Sequence, residues 1–189
     1  MTDFSSILES SGAILKGHFV LSSGRHSDVY FEKFRILERP DVLSAICASI
    51  CERFRESGAQ IVAGPTTGGV IVAFEVARQL KLPAIYVERV EGRRALRRGA
   101  GVDSGCKVLV VDDVLTTGQS VREVCELFPP LGAEVVGIGV LVDRSDPPAE
   151  FGAQLFAAIT MRAKSYAPDA VPEWLASQPV QEPGSRRLI

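Results

Sequence analysis

The sequence predicts an α/β fold, a doubly wound parallel sheet with a small N-terminal hood. Three observations carry this expectation. Beyond residue 60, short β-branched runs alternate with helical segments, a pattern that builds a parallel sheet with helices on its faces. Two of these runs end in turns rich in glycine and threonine, Gly64–Gly69 and Val114–Gly118, each leading into a helix. Open sheets of this kind bind ligands at the carboxyl ends of their strands. The third observation is Val108–Val111, an unbroken apolar run with the length and branching of a strand buried on both faces.

The elements follow in order. To about Arg35 the chain reads as a short helix carrying Phe4, Ile7 and Leu8, then strands around His18–Leu21 and Val29–Phe34. Residues 41–56 keep a helical period, with Pro40 at the start and Gly58 past the end. A strand at Gln60–Ala63 enters the first glycine-rich turn, and Val70–Leu80 continues as a helix. Next come a strand at Ala84–Val87, a long structureless loop over Glu88–Gly105, the central strand Lys107–Val111 and a helix at Ser120–Leu127. Strands at Glu134–Val142 and Gln154–Ile159 complete the sheet. From Ser165 the tail is proline-rich (Pro168, Pro172, Pro179, Pro183) and poorly patterned. With 189 residues, no repeat and no flexible linker, one domain over 1–189 is expected, its hood (about 1–35) packed on the core.

Composition narrows the function classes. Hydrophobic residues make up 46% of the chain, enough for a sizeable core. A net charge of −2 argues against a nucleic-acid or membrane-surface protein. No apolar run approaches the ~20 residues that span a bilayer, and no basic-then-apolar leader opens the chain. Cys47 and Cys51 stand one helical turn apart on the apolar face of Leu43, Ile46, Ile50 and Phe54, which reads as buried thiols. Cys106 and Cys125 are the others, with no C-x-x-C pair and no asparagine for N-glycosylation. A reducing cytoplasm is the expected compartment.

The chemistry concentrates in Val108 to Arg122, VLVVDDVLTTGQSVR. The apolar strand ends on Asp112 and Asp113. A hydroxyl-rich turn then enters a helix with serine or threonine near its cap. The N–H groups of such a turn and helix start favour a phosphate. Two carboxylates beside it suit the vicinal hydroxyls of a ribose, which donate hydrogen bonds to them. A sugar phosphate satisfies both halves; the bland alternative is an ordinary strand, turn and helix with a solvated acidic bend. No Walker A loop and no complete G-x-G-x-x-G occurs. The loop over Glu88–Gly105 carries Arg89, Arg93, Arg94, Arg97 and Arg98 with Gly92, Gly99 and Gly101. It reads as a solvated basic face or, the favoured reading between two strands of a phosphate site, as a mobile lid that neutralises a polyanion.

Val108–Arg122 resembles the phosphoribosyl-pyrophosphate (PRPP) motif of the type I phosphoribosyltransferases. Further segments are similar to the orotate phosphoribosyltransferase branch of that family. They are Gly17-His18-Phe19-Val20-Leu21-Ser22-Ser23-Gly24-Arg25-His26-Ser27, the pair Asp143-Arg144 after a hydrophobic strand, and Pro183-Gly184-Ser185-Arg186. The match covers nearly the whole chain. It implies an enzyme that converts orotate and PRPP to orotidine 5′-monophosphate and pyrophosphate. By that resemblance the 5′-phosphate rests on Thr116, Thr117, Gly118, Gln119 and Ser120, and the ribose hydroxyls on Asp112 and Asp113. Pyrophosphate takes Thr66, Thr67 and Gly68, with Arg89 also on PRPP. Arg144 meets the orotate carboxylate as a planar fork, unless it serves as a structural ion pair with Asp143 or Asp146. His26 and Thr116 also contact orotate, and Tyr30 or Phe31 packs on its ring or belongs to the core.

Asp113 is the residue placed to handle a proton. Arg93, Arg94, Arg97 and Arg98 are expected to stabilise charge during catalysis, reaching over the neighbouring subunit's site of a homodimer. Mg²⁺ is expected with PRPP near Asp112 and Asp113, with no direct protein ligand assigned. The pattern departs from the family in two places. Gly68 stands where many members have lysine, and the loop has arginines where many have lysines and a histidine, so it has no general acid at neutral pH. The tail has Val171 and Trp174 where some relatives have cysteines, so no tail metal is expected. Two other readings stay open: a phosphoribosyltransferase for a purine, and a PRPP-sensing regulator without catalysis.

Overall fold

The computed structural model describes residues 4–21, 23–97, 99–161 and 164–183. The chain forms two compact units, one joining the residues up to Arg39 with those after Met161, the other spanning Pro40–Met161. Among the described residues no helix is long and apolar enough to cross a membrane.

The first unit opens with α1 (Ser5–Ser10), β1 (Ile14–Val20), β2 (His26–Phe31) and α2 (Phe34–Leu37). Both strands begin earlier than the sequence pattern suggests, and Phe34 leaves the strand to start α2, half-exposed. The register of β1 against β2 shifts between Lys16 and Phe19, which breaks the alternation that would have announced the strand. Phe19 is fully buried and packs on Tyr30 at 5.6 Å, so the aromatics here build the core of this unit.

The second unit is where the site lies. It contains α3 (Pro40–Phe54), β3 (Ile61–Pro65), α4 (Gly68–Leu80), β4 (Ala84–Val90), β5 (Arg93–Ala95), β6 (Lys107–Leu115), α5 (Gln119–Cys125), β7 (Glu134–Asp143) and β8 (Leu155–Thr160). The sheet order is β5-β4-β3-β6-β7-β8, parallel except for the antiparallel edge strand β5. The chain runs outward from β3 to β4, then resumes on the other side with β6, so the winding direction reverses between β3 and β6. That reversal opens a crevice at the strand ends.

Side chains alternate across each strand. Val108 and Val110 face Val121, Val124 and Phe128 beneath α5. The other face takes α3: a Cβ on Gly137 would collide with Phe54, and one on Gly139 would meet Ile50. Cys51 Sγ donates to the Val76 carbonyl of α4 (3.6 Å), tying the two helices on this face. Ile46, Cys47 and Ile50 are fully buried, and side chains of isoleucine size contribute about 1.5–3 kcal/mol each on burial. Burial pushes the Cys51 thiol up to about 11 and Cys47 higher still, so both are inert packing groups.

After the core, the chain completes the first unit with β9 (Ser165–Tyr166), α6 (Glu173–Ala176) and β10 (Val180–Gln181). The tail expected to lack pattern supplies both edge strands of a sheet ordered β10-β1-β2-β9. Two-residue strands are too short to show a period, and their partners lie far away in sequence. Leu175 of α6 is fully buried and anchors the segment.

Candidate active site

Three expectations about the central stretch are corrected by the structure. Asp112 and Asp113 do not follow the strand; β6 continues through them to Leu115, paired with β7 as far as Asp143. The helix cap is not serine or threonine but Gly118, with no side-chain cap hydrogen bond. The loop after β4 is not structureless, because β4 runs to Val90 and turns back as β5, with Arg89 opposite Arg94.

The acid pair is buried, Asp112 7% and Asp113 5% exposed. Asp112 Oδ1 accepts the Asp113 N–H (2.8 Å), and Asp113 Oδ1 accepts the Val114 N–H (2.6 Å). Adjacent residues of a strand point to opposite faces. Asp112 lines an open cavity of about 220 Å³ with Arg89, Val114, Leu115, Thr116, Thr117, Gly118, Gln119, Ser120 and Val121; Asp113 is not among its lining residues. Gly118 adopts φ 76°, and a Cβ there would press on Phe151 at 3.1 Å and Ala149 at 3.2 Å. Both backbone and packing require glycine at this bend. Thr116 and Thr117 are exposed, and Thr117 Oγ1 accepts the Gln119 N–H (3.4 Å).

Pro65–Gly68 forms the neighbouring turn at the end of β3. It is packed backbone against backbone: a Cβ on Gly64 would collide with the Gly69 carbonyl. A Cβ on Gly69 would sit 2.6 Å from Pro65 Cδ and 2.9 Å from Asp112 Oδ1. The Thr66–Thr67 peptide is cis. Thr66 and Thr67 are exposed while Gly68 is buried, and none of the three lines the cavity.

Glu123 of α5, which sequence reasoning did not single out, gathers several predicted residues. Its Oε2 accepts from Arg89 and from Arg94 Nε (3.3 Å), and its Oε1 accepts from Gln119 Nε2 (3.0 Å). Arg94 also donates to Ser120 Oγ, and its side chain is only 8% exposed. The available signal was the helical spacing of Gln119 and Glu123, four residues apart. Arg93 is exposed, Arg97 pairs with Glu88 at 3.7 Å, and Arg98 lies outside the described residues, as do Ser22 and Gly184–Arg186.

Arg144 follows β7, and its N–H donates to the Leu115 carbonyl (2.8 Å), which sets it beside the end of β6. Asp143 Oδ1 accepts from the N–H and hydroxyl of buried Ser145 (2.8 and 2.6 Å), tying down that turn. His26 belongs to the first unit, where its Nδ1 lies 2.6 Å from Nε2 of His18. Among the described residues, no group of three or more His, Cys, Asp or Glu side chains forms a metal site.

Comparison with known proteins agrees with this geometry. Residues 35–150 match the phosphoribosyl transferase domain. Over 182 residues the chain is 44% identical to the orotate phosphoribosyltransferase of Desulforamulus reducens, covering 96% of this chain and 95% of that one. It is 45% identical to that of Chlorobaculum parvum, with 95% and 93% covered. The crystal structure of orotate phosphoribosyltransferase from Aeropyrum pernix superposes with a TM-score of 0.69 at 32% identity, covering 84% of this chain and 94% of that one. With a domain match over more than half its length and relatives this similar from end to end, the chain belongs to the phosphoribosyltransferases of the orotate family.

Proposed function

We propose that the protein transfers the phosphoribosyl group of PRPP to orotate, yielding orotidine 5′-monophosphate and pyrophosphate. The observation that carries this reading is the cavity at the carboxyl end of β6. It joins a buried carboxylate, Asp112, to a hydroxyl- and N–H-lined turn with Arg89 at its rim. In the proposed complex the Thr116–Ser120 turn receives the 5′-phosphate and Asp112 in the cavity receives the ribose hydroxyls, joined by Asp113, the next residue of β6, which lies outside the cavity lining before the substrate binds. Cleavage at the anomeric carbon builds positive charge on the ribose and negative charge on the departing pyrophosphate. The two carboxylates steady the first. Thr66, Thr67 and the backbone N–H groups of the β3 turn, joined by Arg89 and the hairpin arginines Arg93, Arg94 and Arg97, steady the second. Arg144 takes the orotate carboxylate, with Thr116 and His26 as further base contacts.

Oxygen donors dominate the crevice, and that set suits Mg²⁺, a hard cation that keeps waters and substrate oxygens around it. Asp112 and Asp113 are the carboxylates nearest its proposed place. When bound with PRPP it would neutralise pyrophosphate charge. A homodimer is part of the proposal, with the exposed Arg93 and Arg97 serving the neighbouring site while Arg94 stays on Ser120 and Glu123 of its own chain. It is supported by Phe74 (65% exposed) and Ile71 (37%), an apolar pair one turn apart on α4 that a second copy would cover. A cytoplasmic setting is part of the same proposal, supported by four cysteines that form no disulfide, Cys47 and Cys51 among them buried.

The test is ultraviolet loss of orotate with PRPP and Mg²⁺, run against purine bases and uracil. Turnover of orotate alone is expected, and chelation of Mg²⁺ should abolish it. Turnover of a purine instead moves the assignment to the purine enzymes. PRPP binding without turnover of any base makes the protein a sensor.

A further inference from the structure

The chain has two histidines, and the first unit brings them together. His18 on β1 is 4% exposed, and its Nε2 lies 2.6 Å from Nδ1 of His26 on β2. The rings are tilted by 44° with centroids 4.9 Å apart. On its other side His18 Nδ1 meets the Gln178 carbonyl at 3.1 Å. That carbonyl sits in the turn after α6, where the Gln178 N–H donates to Leu175 O (3.1 Å) and its side chain to Trp174 O (3.2 Å).

These contacts determine where the hydrogens are. A carbonyl only accepts, so Nδ1 of His18 carries a hydrogen. In a neutral His18 the other nitrogen, Nε2, is then bare and accepts from His26 Nδ1–H. The neutral His26 therefore has no hydrogen on Nε2, the nitrogen left to meet a ligand. One added proton enters at that Nε2, and the charge is shared across the bridge. A second would place two hydrogens in the 2.6 Å gap, so the pair takes up one proton only.

We infer that His18 is a positioning residue: it holds neutral His26 in the Nδ1–H form, so that His26 donates to an anionic base only after taking up one proton. This rests on the reading of His26 as a contact to orotate. The charged and titratable groups on the elements around the pair are Glu173 of α6, which packs on β1, and residues of β1, β2, the turn before β2 and β9. Lys16 stands two residues before His18 on β1, Asp28 two residues beyond His26 on β2, and Tyr166 opposite His26 on β9. Arg25 is turned away to Ser165, donating to its hydroxyl (2.8 Å) and carbonyl (2.6 Å). The turn that holds His18 adds only Ser177 and Gln178, neither of them ionisable.

Two measurements test the inference. Long-range ¹H–¹⁵N spectra of the whole protein contain only these two rings; at alkaline pH both should show the Nδ1–H pattern. An Nε2–H pattern from either ring overturns the inference, with no variant needed. Calorimetry of orotate binding in buffers of different ionisation heat then counts protons. At alkaline pH, wild type should take up close to one proton on binding and lose affinity by about tenfold per pH unit. His18→Phe frees His26 to carry its hydrogen on Nε2, so its binding should take up none and stay flat with pH. Binding by wild type without proton uptake overturns the inference at the ligand. If no orotate binds while both rings keep Nδ1–H, the orotate reading fails and the tautomer assignment is upheld.

Discussion

The turns after β3 and β6 end neighbouring parallel strands at the same crevice, yet they are built in opposite ways. The β6 turn is side-chain rich: carboxylates, hydroxyls and, through Glu123, two arginines and a glutamine. The β3 turn offers hydroxyls and N–H groups but no charge, and its glycines exist to let backbone approach backbone. The two meet where Gly69 admits Asp112 Oδ1. One turn recognises by charge, the other by close fit, and the fit of the second places the charge of the first.

The largest expected effect lies on the charged side. Asp113→Asn should lower kcat by about 100-fold, the lower range for an acid–base group, while the melting temperature stays close to wild type. Near-normal turnover would remove Asp113 from the chemistry. On the fitted side, Gly69→Ala introduces the Cβ that meets Pro65 and Asp112. A displaced carboxylate should cost roughly tenfold in kcat/KM; unchanged kinetics would separate the two turns. Glu123→Gln loosens Arg89 and Arg94 and should raise the KM for PRPP by about threefold, the scale of an exposed ion pair. A lower KM would instead mean that Glu123 competes with phosphate for those cations.

The smallest effect concerns stability. Glu75 joins α4, which springs from the β3 turn, to Ser44 of α3 (2.6 Å) and to Arg78 (2.8 Å). Hydrogen bonds from Arg78 first, then Ser44 and Gln79, opposed by burial, hold its carboxyl at about 2. The folded value lies below the ordinary 4.5, so the network's stabilisation is complete above that pH and is lost as pH falls toward about 2. Solvent around half-exposed Arg78 screens most of it. Glu75→Gln should therefore melt about 1–2 °C lower at neutral pH. That gap should close in acid, with kinetics unchanged; altered PRPP kinetics would tie the base of α4 to the fitted turn.

The central sheet was readable because Val108–Val111 is an unbroken apolar run and the 134–142 segment is rich in β-branched residues despite its two glycines. The extension of β6 through two aspartates was not: acids are poor strand formers, and only pairing with β7 carries them. The β4–β5 hairpin was hidden by its arginines, whose ladder places Arg89 opposite Arg94, the two held by one glutamate from another element. Glu123 looked like an ordinary helical surface residue. The short strands of the tail held no local signal, since their reason for being strands lies in β1 and β2. The histidine pair was concealed by the register shift, which brings residues of two strands together in a way that simple alternation does not announce.

That distant pairing has a consequence for how the protein is made. Gln178 and His18 are 160 residues apart, and β1 is flanked by β10 just as β2 is flanked by β9. The Pro40–Met161 unit is continuous in the chain and can close while translation is still under way. β1 and β2, by contrast, leave the ribosome ahead of this unit yet wait with unpaired edges until the segment after Met161 has been synthesised, an interval in which open edges invite association with other chains. Folding order thus inverts chain order here: β1 and β2 are made before the Pro40–Met161 unit and finished after it.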